Sequence, residues 1–230
     1  MARKEISVVL AHGAWADGSS WSKVITGLAV HGVHAVAAPL PLTTLADDVA
    51  AIERAIGRVD GPVVLVGHAY GGAAVSATRH SAVKSLVYVA AVTPAEGETA
   101  AEAAYRGTPH PLAPKIGPDD NGWVYLPESA FASAFAPNAT PDEQAILAAV
   151  QRPISVACIS VKVGPPRWKE LPAWYVVARN DRMLIPENQQ LMAERMGAEL
   201  KSINSDHVPI ITAAETVVDT ILDAVKASSH

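Results

Sequence analysis

The chain has 230 residues, of which 50% are apolar and 18% charged, and its formal net charge at pH 7 is -5. This length and composition fit one domain built around a sheet that is buried on both faces. The absence of any run of Lys or Arg excludes a nucleic-acid-binding class. A single cysteine, Cys158, excludes an internal disulfide, and no Cys/His cluster has metal-ligand spacing.

The amino-terminal segment predicts a strand rather than a targeting signal. Met1 to Glu5 lead directly into the apolar run Ile6 to Ala11, and no small-residue cleavage site follows. No apolar stretch approaches the roughly 20 residues of a membrane helix. We therefore expect a cytoplasmic protein with no membrane partner, and the lone cysteine fits a reducing compartment. The sequence is compatible with a homodimer and does not fix the oligomeric state.

Short β-branched runs alternate with helical patterns along the chain. The six predicted strands are Ile6 to Ala11, His34 to Ala37, Pro62 to Val66, Ser85 to Val92, Trp174 to Ala178 and Glu199 to Ile203. Apolar positions at helical spacing occur between the strands, around Trp21 to Leu28 and Leu45 to Val59, and after the last strand around Val217 to Val225. This alternation predicts an α/β fold with a six-stranded parallel sheet and helices on both faces.

The alternation stops in the segment 93–171, where Pro and aromatic residues are frequent. Thr140-Pro141-Asp142-Glu143 has the pattern of a capped helix start, with Pro at the first helical position and Glu placed to close a capping box. We expect a core formed by 1–92 and 172–230, and a small, mostly helical cap formed by 93–171, within one structural domain. Ligands bind at the carboxyl edge of open α/β sheets, so the cap should cover that edge.

The segment Val63 to Gly72 has the pattern of a nucleophile elbow, a buried strand that turns through glycines into a helix of small residues. In a G-x-S-x-G elbow the central residue lies on a strained turn, and the glycines are needed because side chains there would strike the neighbouring strand and helix. Here the nucleophile position holds Ala69. All of the pattern fits except this residue.

A dinucleotide-binding loop is the rival interpretation of the same segment, because Gly67, Ala69 and Gly72 also fit a degenerate G-x-A-x-x-G pattern. The loop follows the third predicted strand rather than the first. Tyr70 is bulky where backbone would have to approach phosphate, and the next strand ends without an acid to bind a ribose. These features favour the elbow.

The first strand ends in His12-Gly13-Ala14-Trp15. A His-Gly-x step at this place sets a backbone N–H beside the elbow, and the N–H groups of Ala14 and Tyr70 together would form an oxyanion hole. For His12, a structural hydrogen bond that fixes the loop is the simpler interpretation. Direct contact of His12 with substrate is the alternative.

Two further candidates follow the last two predicted strands, Asp181 in one loop and His207 in the next. The order of elbow, acid and histidine is that of a triad in which the acid orients the imidazole and stabilises its protonated form. The simpler interpretation of Asp181 alone is a solvated loop charge or a helix cap before Pro186, and that of His207 alone is an exposed surface imidazole. Asp206 and Glu96 are weaker candidates for the acid.

These motifs resemble the bacterial esterase and plant hydroxynitrile-lyase/methylesterase branch of the α/β-hydrolase superfamily, a group of small cofactor-free enzymes. The motifs span nearly the whole chain, and they include Leu86 to Ala91, Pro94 to Glu98 and Asp181 to Gln189. The resemblance implies an esterase-like enzyme with Ser at position 69, Asp181 as the acid and His207 as the base. It also implies an oxyanion hole at Ala14 and Tyr70. No cofactor or metal is expected.

Alanine at the elbow predicts a poor serine hydrolase, because losing a triad nucleophile costs on the order of a millionfold in turnover. Ala69 is either an engineered ligand-trapping change or a natural variant, and relatives in this branch with Gly-His-Ala-Tyr at the elbow favour the second. A His/Asp base remains sufficient for lyase, isomerase, cofactor-free oxygenase or water-activating chemistry. A binding protein without activity is the third alternative.

The cap aromatics suggest a small apolar or aromatic substrate, and Trp123, Tyr125, Phe131 and Phe135 are candidate contacts. The simpler interpretation is that most of them form the core of the cap. Two hydroxyls could be considered as substitute nucleophiles. Ser76 should face away from the elbow, and Ser129 has no predictable base beside it.

Overall fold

The computed structural model describes residues 5–229. Its strands are β1 Ser7–Ala11, β2 Ala35–Ala38, β3 Val63–His68, β4 Val83–Val89, β5 Trp123–Val124, β6 Ile154–Ser155, β7 Ala173–Ala178 and β8 Glu199–Ile203. Its α-helices are α1 Ser22–Val30, α2 Leu45–Ile56, α3 Gly71–Ala77, α4 Ala100–Ala104, α5 Glu128–Ala130, α6 Pro141–Val150, α7 Val156–Ile159, α8 Pro186–Met196, α9 Pro209–Thr212 and α10 Ala214–Ala227. Short 3-10 turns at Gly18–Trp21 and Arg167–Lys169 and a π-helical turn at Phe131–Phe135 complete the described elements.

The main sheet has six parallel strands in the order β2-β1-β3-β4-β7-β8. The predicted fold class is confirmed, with each of the six predicted strands present. The fourth strand ends at Val89 rather than Val92 because Ala90 has a positive φ of 44°, which interrupts the extended chain. The third strand continues to His68, so that it leads directly into the elbow.

Helices pack on both faces of the sheet because each strand alternates its apolar side chains. In β1, Val8 and Leu10 belong to the core shared with α1 and α10, whereas Val9 belongs to the core shared with α2, α3 and the cap. All five residues of β1 are buried. The central strands are therefore held from both sides, and the loops at their carboxyl ends start from a fixed framework.

The segment 93–171 contributes no strand to the main sheet in the described structure. It contains α4 to α7 and an antiparallel pair, β5 and β6. The predicted capping box at Thr140 and Glu143 is present at the start of α6. The two strands of the pair are two residues long, too short to give a periodic sequence pattern.

The longest helix in residues 5–229 is α10, with 14 residues. A membrane-spanning helix needs about 20 apolar residues. None of the helices that the structure describes has both the length and the apolar character to cross a bilayer.

Candidate active site

The loops after β1, β3, β7 and β8 meet at the carboxyl edge of the sheet, because these four strands are parallel. A cavity of about 610 Å³ lies at this edge. Ala69, from the loop after β3, and His207, from the loop after β8, both line it, together with Ala14 and Tyr70. The structure therefore brings the elbow, the histidine and the two predicted oxyanion-hole positions to one cavity.

The elbow has the strained backbone that its sequence pattern predicts. Ala69 has φ 48°, a left-handed conformation that costs a non-glycine residue about 1–2 kcal/mol. A side chain on Gly71 would lie 2.6 Å from the carbonyl oxygens of Ala11 and His12, and one on Gly13 would lie 2.7 Å from Cβ of Ala69. Glycine at these places lets the loop after β1 approach the elbow closely enough to share its cavity.

His207 and Asp181 form a buried hydrogen-bonded pair, with 2.8 Å between His207 Nδ1 and Asp181 Oδ2. Asp181 is itself fixed, since Oδ1 accepts the N–H groups of Met183 at 2.8 Å and Leu184 at 2.9 Å, and Oδ2 accepts Gln189 Nε2 at 2.8 Å. An ionised carboxylate only accepts hydrogen bonds, so Nδ1 of His207 carries the proton. The second imidazole nitrogen, Nε2, has no hydrogen-bond partner within residues 5–229.

The His207 imidazole is packed between two rings. The His68 ring lies 5.2 Å from it and the Phe135 ring 5.3 Å, measured between centroids. His68 Nε2 donates to the backbone carbonyl of His207 at 2.7 Å. Burial lowers the pKa of His68 to about 3, so that this fully buried histidine is neutral at pH 7. His68 and Phe135 thus restrict the position of His207 without adding charge beside it.

The N–H groups of Ala14 and Tyr70 donate no hydrogen bond within the described chain, although both residues are nearly buried. Unpaired buried N–H groups are rare. The adjacent Trp15 differs, since its N–H donates to the carbonyl of Arg152 at 2.9 Å and its indole to that of Val124 at 3.0 Å. Both residues line the cavity, and the Trp15 bonds to Arg152 and Val124 hold the loop that carries Ala14 against the cap.

Tyr70 is anchored from beneath the elbow by a buried carboxyl group. Its hydroxyl donates to Asp48 Oδ2 at 2.7 Å, the Leu42 N–H donates to Oδ1 at 2.8 Å, and the Cys158 thiol lies 3.7 Å from Oδ2. Asp48 is fully buried, and its burial raises its pKa despite these donors. The Asp48 carboxyl group therefore joins the elbow to the β2–α2 loop and to α7 of the cap.

We expect Asp48→Ala to lower the free energy of unfolding by about 3 kcal/mol, because it leaves the Tyr70 hydroxyl and the Leu42 N–H buried without an acceptor. Urea denaturation measures the loss. Asp47→Ala, at the exposed neighbouring position in α2, is the matched control and should cost less than about 1 kcal/mol. Equal losses in the two variants would contradict the assigned role of Asp48.

The raised pKa of Asp48 also predicts the sign of a pH effect. The pKa is higher in the folded chain than its ordinary value of 3.8, so the stability this group contributes is complete below pH 3.8 and decreases as pH rises through the folded pKa. Asp48→Asn does not titrate. The unfolding free energy of wild type minus that of Asp48→Asn should therefore decrease over this pH window, and a constant or increasing difference would contradict the prediction.

The cavity lining is mainly apolar. Its aliphatic lining residues include Val92, Val124, Ile154, Val156, Ile159 and Leu184. No Ser, Thr or Cys is among the described lining residues. The side chains that can transfer a proton or carry charge there are Tyr70, Tyr105, Arg106, His110, Lys115 and His207. A mainly apolar cavity with one acid-oriented imidazole is suited to proton transfer on an apolar molecule.

The five predicted substrate contacts lie outside the described lining of this cavity. His12 is buried, with Nε2 accepting the Leu40 N–H at 3.1 Å, and burial lowers its pKa to about 4. Phe131 and Phe135 pack on each other in the core, although Phe135 reaches the His207 ring. The remaining two, Trp123 in β5 and the exposed Tyr125, lie in the cap. Tyr105 is the cap aromatic that lines the cavity.

The weaker candidates occupy other sites. Asp206 Oδ2 accepts the Asn138 N–H at 2.8 Å, and Glu96 pairs with Lys169 on the surface. Ser76, the first substitute nucleophile considered, donates to the carbonyl of Gly72 at 2.8 Å and does not line the cavity. The second, Ser129, is exposed in α5. Burial and the nearby Asp48 carboxyl raise the pKa of the Cys158 thiol to about 12, which excludes a ready thiolate.

Sequence reasoning did not single out Asp48 or Gln189. Asp48 lies four residues before Ile52 on the apolar face of α2, and an acid at a core position was the available signal. Gln189 Oε1 accepts the Ala178 N–H at 2.9 Å while Nε2 donates to Asp181, so it joins β7 to the acid. It was visible only as part of the Asp181 to Gln189 motif. No cluster of three metal-ligating side chains occurs in the part of the chain described.

Comparisons with known proteins identify the family of the chain. Residues 8–220 match the family model described as the alpha/beta hydrolase family. No curated protein matches the chain. Three similar solved structures are a pyrethroid hydrolase from Sphingobium faniae, a methylesterase from Arabidopsis and methylketone synthase I from tomato, the last in complex with 2-tridecanone.

The three structures share the fold at low sequence identity. The pyrethroid hydrolase is 23% identical, with 96% of this chain and 98% of that chain covered at a TM-score of 0.82. The methylesterase is 19% identical, with coverage of 96% and 99% and a TM-score of 0.79. The tomato synthase is 20% identical, with coverage of 98% and 99% and a TM-score of 0.79. Because the family model spans nearly the whole chain, this protein belongs to the alpha/beta hydrolase family of enzymes.

Proposed function

We propose that the protein acts on a small apolar carbonyl compound, with His207 as a general base and without an acyl-enzyme intermediate. One observation carries the proposal: the cavity that contains the free Nε2 of His207 has Ala69 at the nucleophile position and no Ser, Thr or Cys among its described lining residues. A methyl group cannot attack a carbonyl, so the base must act on a proton of water or of the substrate itself.

The proposed reaction transfers one proton from water or from the substrate to His207. Nε2 of His207 accepts it, and Asp181 stabilises the imidazolium through Nδ1–H. Negative charge then develops on the substrate carbonyl oxygen, where the unpaired N–H groups of Ala14 and Tyr70 stabilise it. The apolar surroundings strengthen both electrostatic interactions because little water screens them.

With an ester, the base removes a proton from water, and the resulting hydroxide attacks the carbonyl carbon. The tetrahedral intermediate then expels the alkoxide, which takes the proton back from the imidazolium and leaves as an alcohol, with the carboxylic acid as the second product. The family membership and the hydrolase and esterase names of similar structures support this reaction. With a ketone, the base removes a proton from the carbon next to the carbonyl and forms an enolate. The aliphatic lining supports this second candidate, as does the apolar ketone bound by the tomato synthase.

Proton NMR in D2O tests the proposal with phenyl acetate and acetophenone as probes. Ester cleavage appears as free acetate, and enolate formation appears as loss of the acetophenone methyl signal through deuterium exchange. We expect at least one reaction to be faster with the wild type than with His207→Ala, and a fluorophosphonate to leave the wild type unlabelled. A wild type no faster than His207→Ala in both reactions would overturn the proposal and favour a binding protein.

A further inference from the structure

The side chains at the mouth of the cavity are charged or polar, whereas those of its interior are mainly apolar. The segment 105–122 joins α4 to β5 without helix or strand, and most residues of its first part, 105–118, line the cavity. We call it the cap loop. It presents Arg106, His110 and Lys115 to the cavity, whereas its two acidic residues, Asp119 and Asp120, are not among the residues that line the cavity. Neither the mechanism proposed above nor the packing of the core uses these three side chains.

The charge at the mouth is opposite in sign to that of the whole protein. The chain has a net charge of -5, yet no carboxylate lines the cavity within the described residues. Charged walls of one sign next to a low-dielectric interior attract ligands of the opposite charge. The distribution therefore indicates an anionic ligand group rather than a neutral or cationic one.

The cationic groups of the cap loop are only partly neutralised. Arg106 pairs with Glu98 at 2.6 Å, but Glu98 also pairs with Arg195 at 2.9 Å, so one carboxylate serves two guanidinium groups. Lys115 has no acceptor within the described chain. His110 Nδ1 accepts the Leu112 N–H at 3.1 Å, which leaves the proton on Nε2 free to be donated.

We propose that this carbonyl compound is amphiphilic, with a carboxylate head group opposite the apolar part that carries the reacting carbonyl. Its carboxylate group binds Lys115 and the Nε2–H of His110 at the mouth, and its apolar part lies against the aliphatic wall toward His207. The role of the reacting end rests on the proposed function, whereas binding of the carboxylate group does not. A volume of about 610 Å³ is within the roughly 300–1,000 Å³ typical of small-molecule sites, so head group and apolar body fit together.

Isothermal titration calorimetry with decanoate and decanamide, which differ in charge and share the same chain, tests the assignment. We expect wild type to bind decanoate about tenfold more tightly than decanamide, since a partly exposed charge-assisted contact contributes on this scale. Lys115→Ala should remove most of this preference and Lys115→Glu should reverse it. Decanamide affinity should change less than about twofold in both variants.

Lys84→Glu is the matched control, since it makes the same charge change at an exposed position on β4, outside the cavity lining. It should keep the decanoate preference. The proposal is overturned if wild type binds neither probe, binds both equally, or keeps its preference in Lys115→Glu. The readout is binding, so His207→Ala should retain the preference even if the proposed proton transfer proves to be wrong.

Discussion

Ala69→Ser is expected to give the protein esterase activity on p-nitrophenyl acetate, at least about a hundredfold above the parent chain. The other parts of a serine-hydrolase site are already adjacent to this position. The elbow has φ 48° at residue 69, His207 is oriented by Asp181, and the N–H groups of Ala14 and Tyr70 are unpaired. A missing triad nucleophile accounts for a loss on the order of a millionfold, so restoring it offers a large gain.

The size of the gain in esterase activity distinguishes two explanations for alanine at position 69. If only the hydroxyl was lost, the serine variant should recover efficient turnover, because no other group limits the reaction. If the cavity has been shaped for another transition state, the gain should be smaller, because catalysis depends on binding that transition state selectively. The apolar lining and the cationic side chains of the cap loop that line the cavity favour the smaller gain.

The double variant Ala69→Ser, His207→Ala is the control, since it has the hydroxyl without its base. Release of p-nitrophenolate and labelling by a fluorophosphonate measure the outcome. A folded Ala69→Ser protein that reacts no faster than the double variant and remains unlabelled would contradict the site geometry. It would show that the His207 imidazole cannot take a proton from a hydroxyl at position 69.

The main sheet and the position of the active-site loops could be predicted because local patterns determine them. Parallel strands alternate with helices, so each loop after a strand falls on one edge, and the order of Ala69, Asp181 and His207 along the chain assigns them to neighbouring loops. The bond between His207 and Asp181 agrees with that expectation. The glycines of the elbow were informative because a Cβ at Gly71 would collide with backbone.

The cavity wall could not be predicted, because it depends on how the cap folds over the sheet. Aromatic content pointed to Phe131 and Phe135, but both are buried in the core, whereas the lining comes from aliphatic residues such as Ile154 and Ile159 and from the cap loop. These residues are distant in sequence and carry no periodic pattern. Their side chains meet only through tertiary packing, as does the Asp48 carboxyl group with Tyr70.

Asp181→Asn is expected to lower turnover of whichever probe reacts, phenyl acetate or acetophenone, by about a thousandfold or more. His207→Ala should abolish this turnover. The asparagine side chain keeps an oxygen to accept the N–H groups of Met183 and Leu184, so the loop should retain its shape. Its amide can donate to Nδ1 of His207 and so favours the wrong tautomer, in which Nε2 carries the proton and cannot act as a base.

Binding distinguishes this catalytic loss from a loss of structure. Asp219→Asn, an exposed change of the same kind on α10, should keep full turnover. Both active-site variants should bind decanoate with wild-type affinity, because the cap loop and the aliphatic wall are unchanged. A loss of binding in step with turnover would mean that Asp181 stabilises the cavity rather than the base. Wild-type turnover in Asp181→Asn would show that the reaction does not depend on the hydrogen bond between His207 and Asp181. His207 would then act without Asp181.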